Sequence, residues 1–226
     1  KLIGFATAGA TALSVNLPMR QPFGAIRIGV REPADEGRLA RAVELARRAE
    51  AAIVVVGTTD EWETEGHDRS SIELPGAQDE LVRSVAAVNQ RTIVIVNAGA
   101  PVAMPWLDEV GAVLIPFFGG MEMADAIVDV LRGEADPGGR LPITFPRRLE
   151  EAPAWSSYAP QDGVQRYGER FAVGYRGHDA SGIPPLLPFG HGLSYGSVRW
   201  GQPRASAGAI RIHGEELVDA APRDLL

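Results

Sequence analysis

The sequence predicts an α/β fold, a layered α/β sandwich whose mostly parallel sheet is covered by helices on both faces, with short β-rich pieces at both ends. Two observations carry this. Short apolar runs without alternation, AAIVVVG, TIVIVN, AVLIP and LPITF, have the pattern of strands buried on both sides. Between them lie segments with helical spacing of apolar residues, so strand and helix alternate along the chain.

The first thirty or so residues hold two β-like runs, ALSVNL and AIRIGV, separated by the turn-forming stretch PMRQPFG. The opening LIGFATAGATALSV imitates a signal peptide only weakly, being broken by Gly and Thr and running into LPMRQP rather than a clear cleavage site. After Pro33, the segment ADEGRLARAVELARRAEA sets Leu39, Ala42, Val43, Ala46 and Ala49 on one helical face, with acids early and arginines late as the helix dipole favours. AAIVVVG then predicts the first central strand.

From Pro75, GAQDELVRSVAAVN predicts a second helix through Leu81, Val85 and Val88, and TIVIVN a second strand. A short helix is expected near Pro101 to Leu107, followed by the strand AVLIP. A helix after Gly119 and Gly120 presents Met123, Ala124, Ile127, Val130 and Leu131, and LPITF reads as a fourth strand. From about Pro146 to Pro188 the chain is rich in Pro, Gly, Tyr and charge without a sustained period, the mark of a long loop serving a site or an interface. The tail SVRWGQPRASAGAIRIHGEELVDA alternates weakly, like the opening of a further β module.

Composition narrows the function. A chain of 226 residues, 45% hydrophobic and 23% charged, buries a substantial core. A net charge of -7 with no basic cluster argues against nucleic acid and against an anionic membrane surface. No apolar run reaches the roughly 18 residues of a membrane span. The chain has no cysteine, which excludes disulfides, thiolate zinc sites and thiol nucleophiles. No spacing of His and acids forms a metal site, no cofactor motif occurs, and no Gly-x-Gly-x-x-Gly follows any strand. Compartment stays undecided between cytoplasmic and secreted.

The chemistry concentrates in Asp60-Glu61-Trp62-Glu63-Thr64-Glu65-Gly66-His67-Asp68-Arg69, directly after the first strand, where open α/β sheets build ligand crevices. Five acids fall within these ten residues, and their mutual repulsion is expected to raise at least one carboxyl pKa, as a general acid requires. Gly66 allows close backbone approach, Trp62 offers a face on which a sugar ring stacks, and Arg69 is expected to pair with Asp68. Read as a plain solvated surface, the same loop would do no chemistry. His67 and His191 have no matched nucleophile motif and read as structural, and Gly119-Gly120 as a tight strand-to-helix turn rather than a phosphate cradle.

The run WETEGHDR, followed by LPGAQDELV, resembles the acid/base loop of family 3 glycoside hydrolases. Three later stretches resemble the same family in the same order: VIVNAGAPVAMPWLDEVGAVL, GGMEMADAIVDVLRGEADPGGRLPITFP and PLLPFGHGLSY. The likeness covers Ala49 to Tyr195. It implies that residues 32–198 form the α/β sandwich domain of such an enzyme, residues 1–31 the end of an inserted β-rich module, and residues 199–226 the start of a fibronectin-like domain.

The resemblance further implies a β-glucosidase-like hydrolase cleaving terminal β-D-glucosyl residues by a retaining two-carboxylate mechanism, with β-xyloside the next substrate class. Glu65 matches the catalytic acid/base, with Glu63 as its competitor on the same loop. Trp62, Glu63 and Arg69 are the implied substrate-binding residues. The nucleophilic Asp would lie on a (β/α)8 barrel domain of the same enzyme, so the chain alone is expected to be incomplete and inactive. The alternative is a non-catalytic carbohydrate-binding or structural α/β domain.

Overall fold

The computed structural model describes residues 37–217, apart from residues 67 and 207. The β-like runs of residues 1–31, with the module assigned to them, and His67 therefore lie outside the described residues. Helix α1 (Arg38–Arg48) leads into strand β1 (Ala52–Gly57), helix α2 (Gln78–Ala86), strand β2 (Thr92–Asn97), strand β3 (Ala112–Leu114) and helix α3 (Met123–Leu131). The three strands form one parallel sheet in the order β1-β2-β3, and the α/β class expected from the sequence holds.

The register pairs Val54 with Val94 and Val56 with Val96, so four valines lie side by side on one face. Helix α2 seals that face with Val82, Val85 and Ala86, and α1 lies against α2 with Ala46 turned inward. Trp106, Met104 and Phe145, all nearly inaccessible, extend the core beyond the sheet. Each fully buried aliphatic side chain contributes roughly 1.5–3 kcal/mol, so the valine quartet alone contributes several.

Cover on the other face is uneven. Ile95 is buried, but Ile53 and Val55 are 55% and 65% exposed, because nothing among the described residues packs on that face of β1. The expectation of a strand buried on both sides is met at β2 and not at β1.

Two expected elements take another form. LPITF is no strand: Phe145 makes an isolated antiparallel bridge to Leu187, and Leu141 exchanges backbone bonds with the His191 and Gly190 region. Pro142 on one side and Pro184, Pro185 and Pro188 on the other lack the N–H groups a continuous ladder needs. The helix expected near Pro101 to Leu107 is reduced to a single turn at Leu107–Glu109, since Pro105 keeps Met104 out of the helical region.

The long excursion carries a single 3-10 turn at Leu149–Glu151 and two short helices, α4 (Trp155–Tyr158) and α5 (Tyr175–Ser181). Beyond it, β4 (Ser197–Trp200) pairs antiparallel with β7 (Gly214–Leu217), enclosing the pair formed by β5 (Arg204–Ser206) and β6 (Ala209–Arg211).

Asn89 ties the helical layer to the sheet. Its buried amide donates to the carbonyls of Ala46 (2.9 Å) and Ala49 (3.0 Å) at the end of α1 and accepts from the N–H of Arg91 (2.9 Å) just before β2. Asn89→Ala strands these backbone groups and should lower the unfolding free energy by about 2–4 kcal/mol, read from denaturant titration. Breaking the exposed Arg48–Glu44 pair should cost under about 1 kcal/mol.

A second prediction concerns Asp79, which accepts a 2.6 Å bond from the buried Trp106 indole. Burial raises its carboxyl pKa above the ordinary 3.8, outweighing the indole bond and the nearby Arg83. The folded state thus holds the Asp79 proton to higher pH than the unfolded chain, and this contribution to stability is lost as pH rises through the folded value. Asp79→Asn keeps an acceptor for Trp106 but cannot ionise. Its Tm relative to the unmodified protein should therefore climb between about pH 4 and pH 7; a constant difference would refute the assignment.

Candidate active site

The acidic loop leaves the carboxyl end of β1 and returns at α2, so both of its ends are fixed by the sheet and the first helix. Gly57 and Gln78 close it. The Gln78 amide accepts from Gly57 N–H (2.7 Å) and donates to the carbonyls of Gly57 (2.9 Å) and Pro75 (2.9 Å). No side chain fits at Gly57, where a Cβ would stand 2.0 Å from the Asn97 carbonyl oxygen.

Along its course the loop is held to the segment that follows β2 by four contacts at every second residue. Thr58 N–H donates to the Asn97 carbonyl (3.0 Å). The Glu63 carboxylate accepts from Gly99 N–H (3.2 Å). Arg69 donates to the Pro101 carbonyl (3.1 Å). Ala103 N–H donates to the Ile72 carbonyl (2.7 Å). The partners fall at residues 97, 99, 101 and 103, on either side of a bend at Gly99 and Ala100.

Between the Glu63 and Arg69 contacts the chain bulges outward, and Glu65 is exposed on this bulge. Gly66 follows with φ of 78°, a left-handed conformation that lets the backbone reverse immediately after Glu65. The carboxyl of Glu65 is thus offered outward at the carboxyl edge of the sheet.

Glu63 faces the opposite way. Its Oε1 accepts from the Thr58 hydroxyl (2.6 Å) and from Gly99 N–H, and lies 3.9 Å from Nη1 of Arg69, with the Glu63 side chain only 14% exposed. Its Oε2 abuts Gly99, where a Cβ would come within 2.8 Å of it. Trp62 is half-buried, with its indole nitrogen shut from solvent.

The expected Arg69–Asp68 pair is replaced by another arrangement. Arg69 turns inward to Glu63 and Pro101, while Asp68 accepts a hydrogen bond from the Tyr158 hydroxyl, which pushes the Tyr158 pKa up. Arg69 is drawn inward because Glu63 and a free carbonyl offer it partners in a less solvated place than the exposed Asp68. Tyr158 belongs to α4, so the long excursion reaches the acidic loop. Neither Tyr158 nor Gln78 stood out in the sequence, since their partners are 90 and 21 residues away.

Of the remaining candidates, the backbone of His191 accepts from Leu141 N–H and donates to the Pro188 carbonyl, and Gly120, with φ of 74°, turns the chain into α3. Among the described residues no group of His, Asp and Glu is arranged to hold a metal ion.

Residues 5–195 match the model of the glycosyl hydrolase family 3 C-terminal domain. The chain is 45% identical over 194 residues to a β-glucosidase of Rhizobium radiobacter, covering 84% of this chain and 24% of the relative. It is 42% identical over 195 residues to a probable β-glucosidase I of Aspergillus flavus, covering 86% and 23%. The chain thus spans about a quarter of the length of these relatives.

Among solved structures, the β-glucosidase of Kluyveromyces marxianus in complex with glucose superposes with a TM-score of 0.74 at 35% identity, covering 78% of this chain and 21% of that one. The family 3 β-glucosidase of Bifidobacterium adolescentis gives 0.73 at 31% identity, covering 81% and 28%. A parallel three-stranded sheet with an outward acid at its carboxyl edge, a family match over most of the sequence and close structural kinship agree: this chain belongs to glycosyl hydrolase family 3, as its C-terminal domain.

Proposed function

We propose that this domain supplies the general acid/base of a retaining β-glucosidase, with Glu65 as the proton donor and the nucleophilic Asp on a (β/α)8 barrel domain of the same enzyme. The observation that carries the reading is the position of Glu65: an exposed carboxyl on a bulge anchored on both sides, at the sheet edge where α/β folds build their sites. The β-glucosidase names of the relatives support the substrate class, terminal β-D-glucosides.

In this scheme the nucleophilic carboxylate attacks the anomeric carbon while Glu65 gives its proton to the departing glycosidic oxygen. The resulting Glu65 carboxylate then takes a proton from the water that cleaves the glycosyl-enzyme ester, which restores the acid. The two carboxyl groups must stand about 5–5.5 Å apart for this retaining path, so the barrel docks against the face on which Glu65 projects. Trp62, on the same loop, flanks the sugar. The chain's own contribution is a donor whose backbone is fixed before substrate arrives, which avoids reorganisation during proton transfer.

Glu65→Gln in the full-length polypeptide should cut kcat/KM for glucosides with poor leaving groups by about 10²- to 10⁴-fold and lower it much less for activated aryl glucosides, whose departure needs no proton. Equal losses across leaving groups would remove Glu65 from this role. The 226-residue chain by itself should hydrolyse an aryl β-glucoside negligibly, because a proton donor alone forms no glycosyl-enzyme intermediate. Turnover by a pure sample would show that the nucleophile lies on this chain. Glycan binding by the chain without activity on recombination with the barrel would instead favour a carbohydrate-binding domain.

A further inference from the structure

Glu63 resembles its neighbour Glu65 in chemistry and differs from it in every contact. We infer that Glu63 is a positioning residue, a buried carboxylate clasp that fixes the bulge carrying Glu65, and that it does not touch substrate. This rests on the reading of Glu65 as the proton donor.

Oε1 of Glu63 is committed to the protein. It gathers two hydrogen-bond donors and one cation from three places in the chain: the Thr58 hydroxyl at the exit of β1, the Gly99 N–H beyond β2, and, at ion-pair distance, the Arg69 guanidinium on the far limb of the bulge. Oε2 lies against the Cα of Gly99, in space that a methyl group would invade. With only 14% of its side chain exposed, Glu63 turns its carboxylate toward the protein rather than outward.

The clasp spans the bulge. Glu63 precedes Glu65 by two residues and Arg69 follows it by four, so the ion pair closes a loop of five residues with Glu65 inside. Arg69 is fixed in turn by its bond to the Pro101 carbonyl, and its Nη1 is shut from solvent with no hydrogen-bond partner besides the Glu63 charge. A neutral group in place of the Glu63 carboxylate would leave this buried guanidinium nitrogen without a charge partner. Two like residues on one loop therefore have divided roles: the inward one braces the loop and the outward one is offered for chemistry.

The spacing of Gly99 supports the same view. Its Cα is held between the Glu63 carboxylate and the Phe118 ring, where a Cβ would fall 2.8 Å from Oε2 and 2.6 Å from the ring. The phenyl ring is over half exposed and can swing aside, whereas the carboxylate is fixed by its bonds from Thr58 and Gly99. Gly99→Ala therefore presses on the clasp from behind while leaving its charge intact.

The test uses the full-length polypeptide. Glu63→Gln keeps the shape and the bonds from Thr58 and Gly99 but removes the charge that Arg69 needs. It should lower kcat on glucosides with poor leaving groups by about 10- to 100-fold with KM changed less than about twofold, and have a smaller effect on activated aryl glucosides. Gly99→Ala should give the same signature in weaker form. Because Glu63 acts through Glu65, Glu63→Gln should add nothing in a Glu65→Gln background. In the 226-residue chain, amide exchange at residues 64–66 should quicken in Glu63→Gln while that of α2 stays unchanged.

A raised KM with kcat preserved, or a loss that persists additively in the Glu65→Gln background, would make Glu63 a substrate ligand and overturn the clasp. Unchanged loop exchange together with unchanged kinetics would overturn it as well, while leaving Glu65 in place. If Glu63→Gln loses the leaving-group-dependent activity and Glu65→Gln does not, Glu63 is itself the acid and the reading of Glu65 fails.

Discussion

Parallel pairing of β1 with β2, in the register that sets Gly57 beside Asn97, is the constraint from which the site follows. Side by side at their carboxyl ends, the two strands release two segments that run together for several residues. One of them bulges away between its points of attachment. An acid on the bulge is thereby separated from solvent-driven wandering without being buried, a combination that neither a free loop nor a core position provides. Shift the register by one residue and Thr58 would no longer face the Asn97 carbonyl, nor Glu63 the Gly99 N–H.

The division between the two glutamates shows how one loop accommodates like charges. Repulsion among the acids of residues 60–69 is relieved by distributing them: Glu63 goes inward to a guanidinium and a backbone N–H, Asp68 meets a phenol, and Glu65 is left outward. Each partner comes from a different part of the chain, so the loop's conformation is a property of the domain rather than of the loop sequence.

That dependence explains what was legible in the sequence. The runs AAIVVVG and TIVIVN and the helical faces of α1 and α2 are local patterns, and their buried residues Ala46, Val54, Val85 and Val96 follow from periodicity alone. LPITF failed as a strand partly through its own Pro142, a local signal, and partly through the prolines of its partner some forty residues on, which nothing within the run reports. The exposure of Ile53 and Val55 likewise depends on which elements cover that face of β1, which residue pattern does not report. In the site, Glu65 was visible through the likeness of its motif to a known loop, while the inward turn of Arg69 and the reach of Tyr158 were invisible, being contacts across 32 and 90 residues.

The Gln78 amide, bonded to both backbone groups of Gly57, joins the start and finish of the acidic segment at a single point. With its two stems stapled there, the segment between them is a loop closed at its neck. Such a neck frames an exchangeable rim: replacements among the exposed residues 59–61 and 64–66 alter what the domain presents, whereas Ile72 and Leu74 belong to the hydrophobic layers beneath. Diversity in what the rim meets can accumulate there on an unaltered scaffold, provided the glycine and the glutamine at the neck are kept.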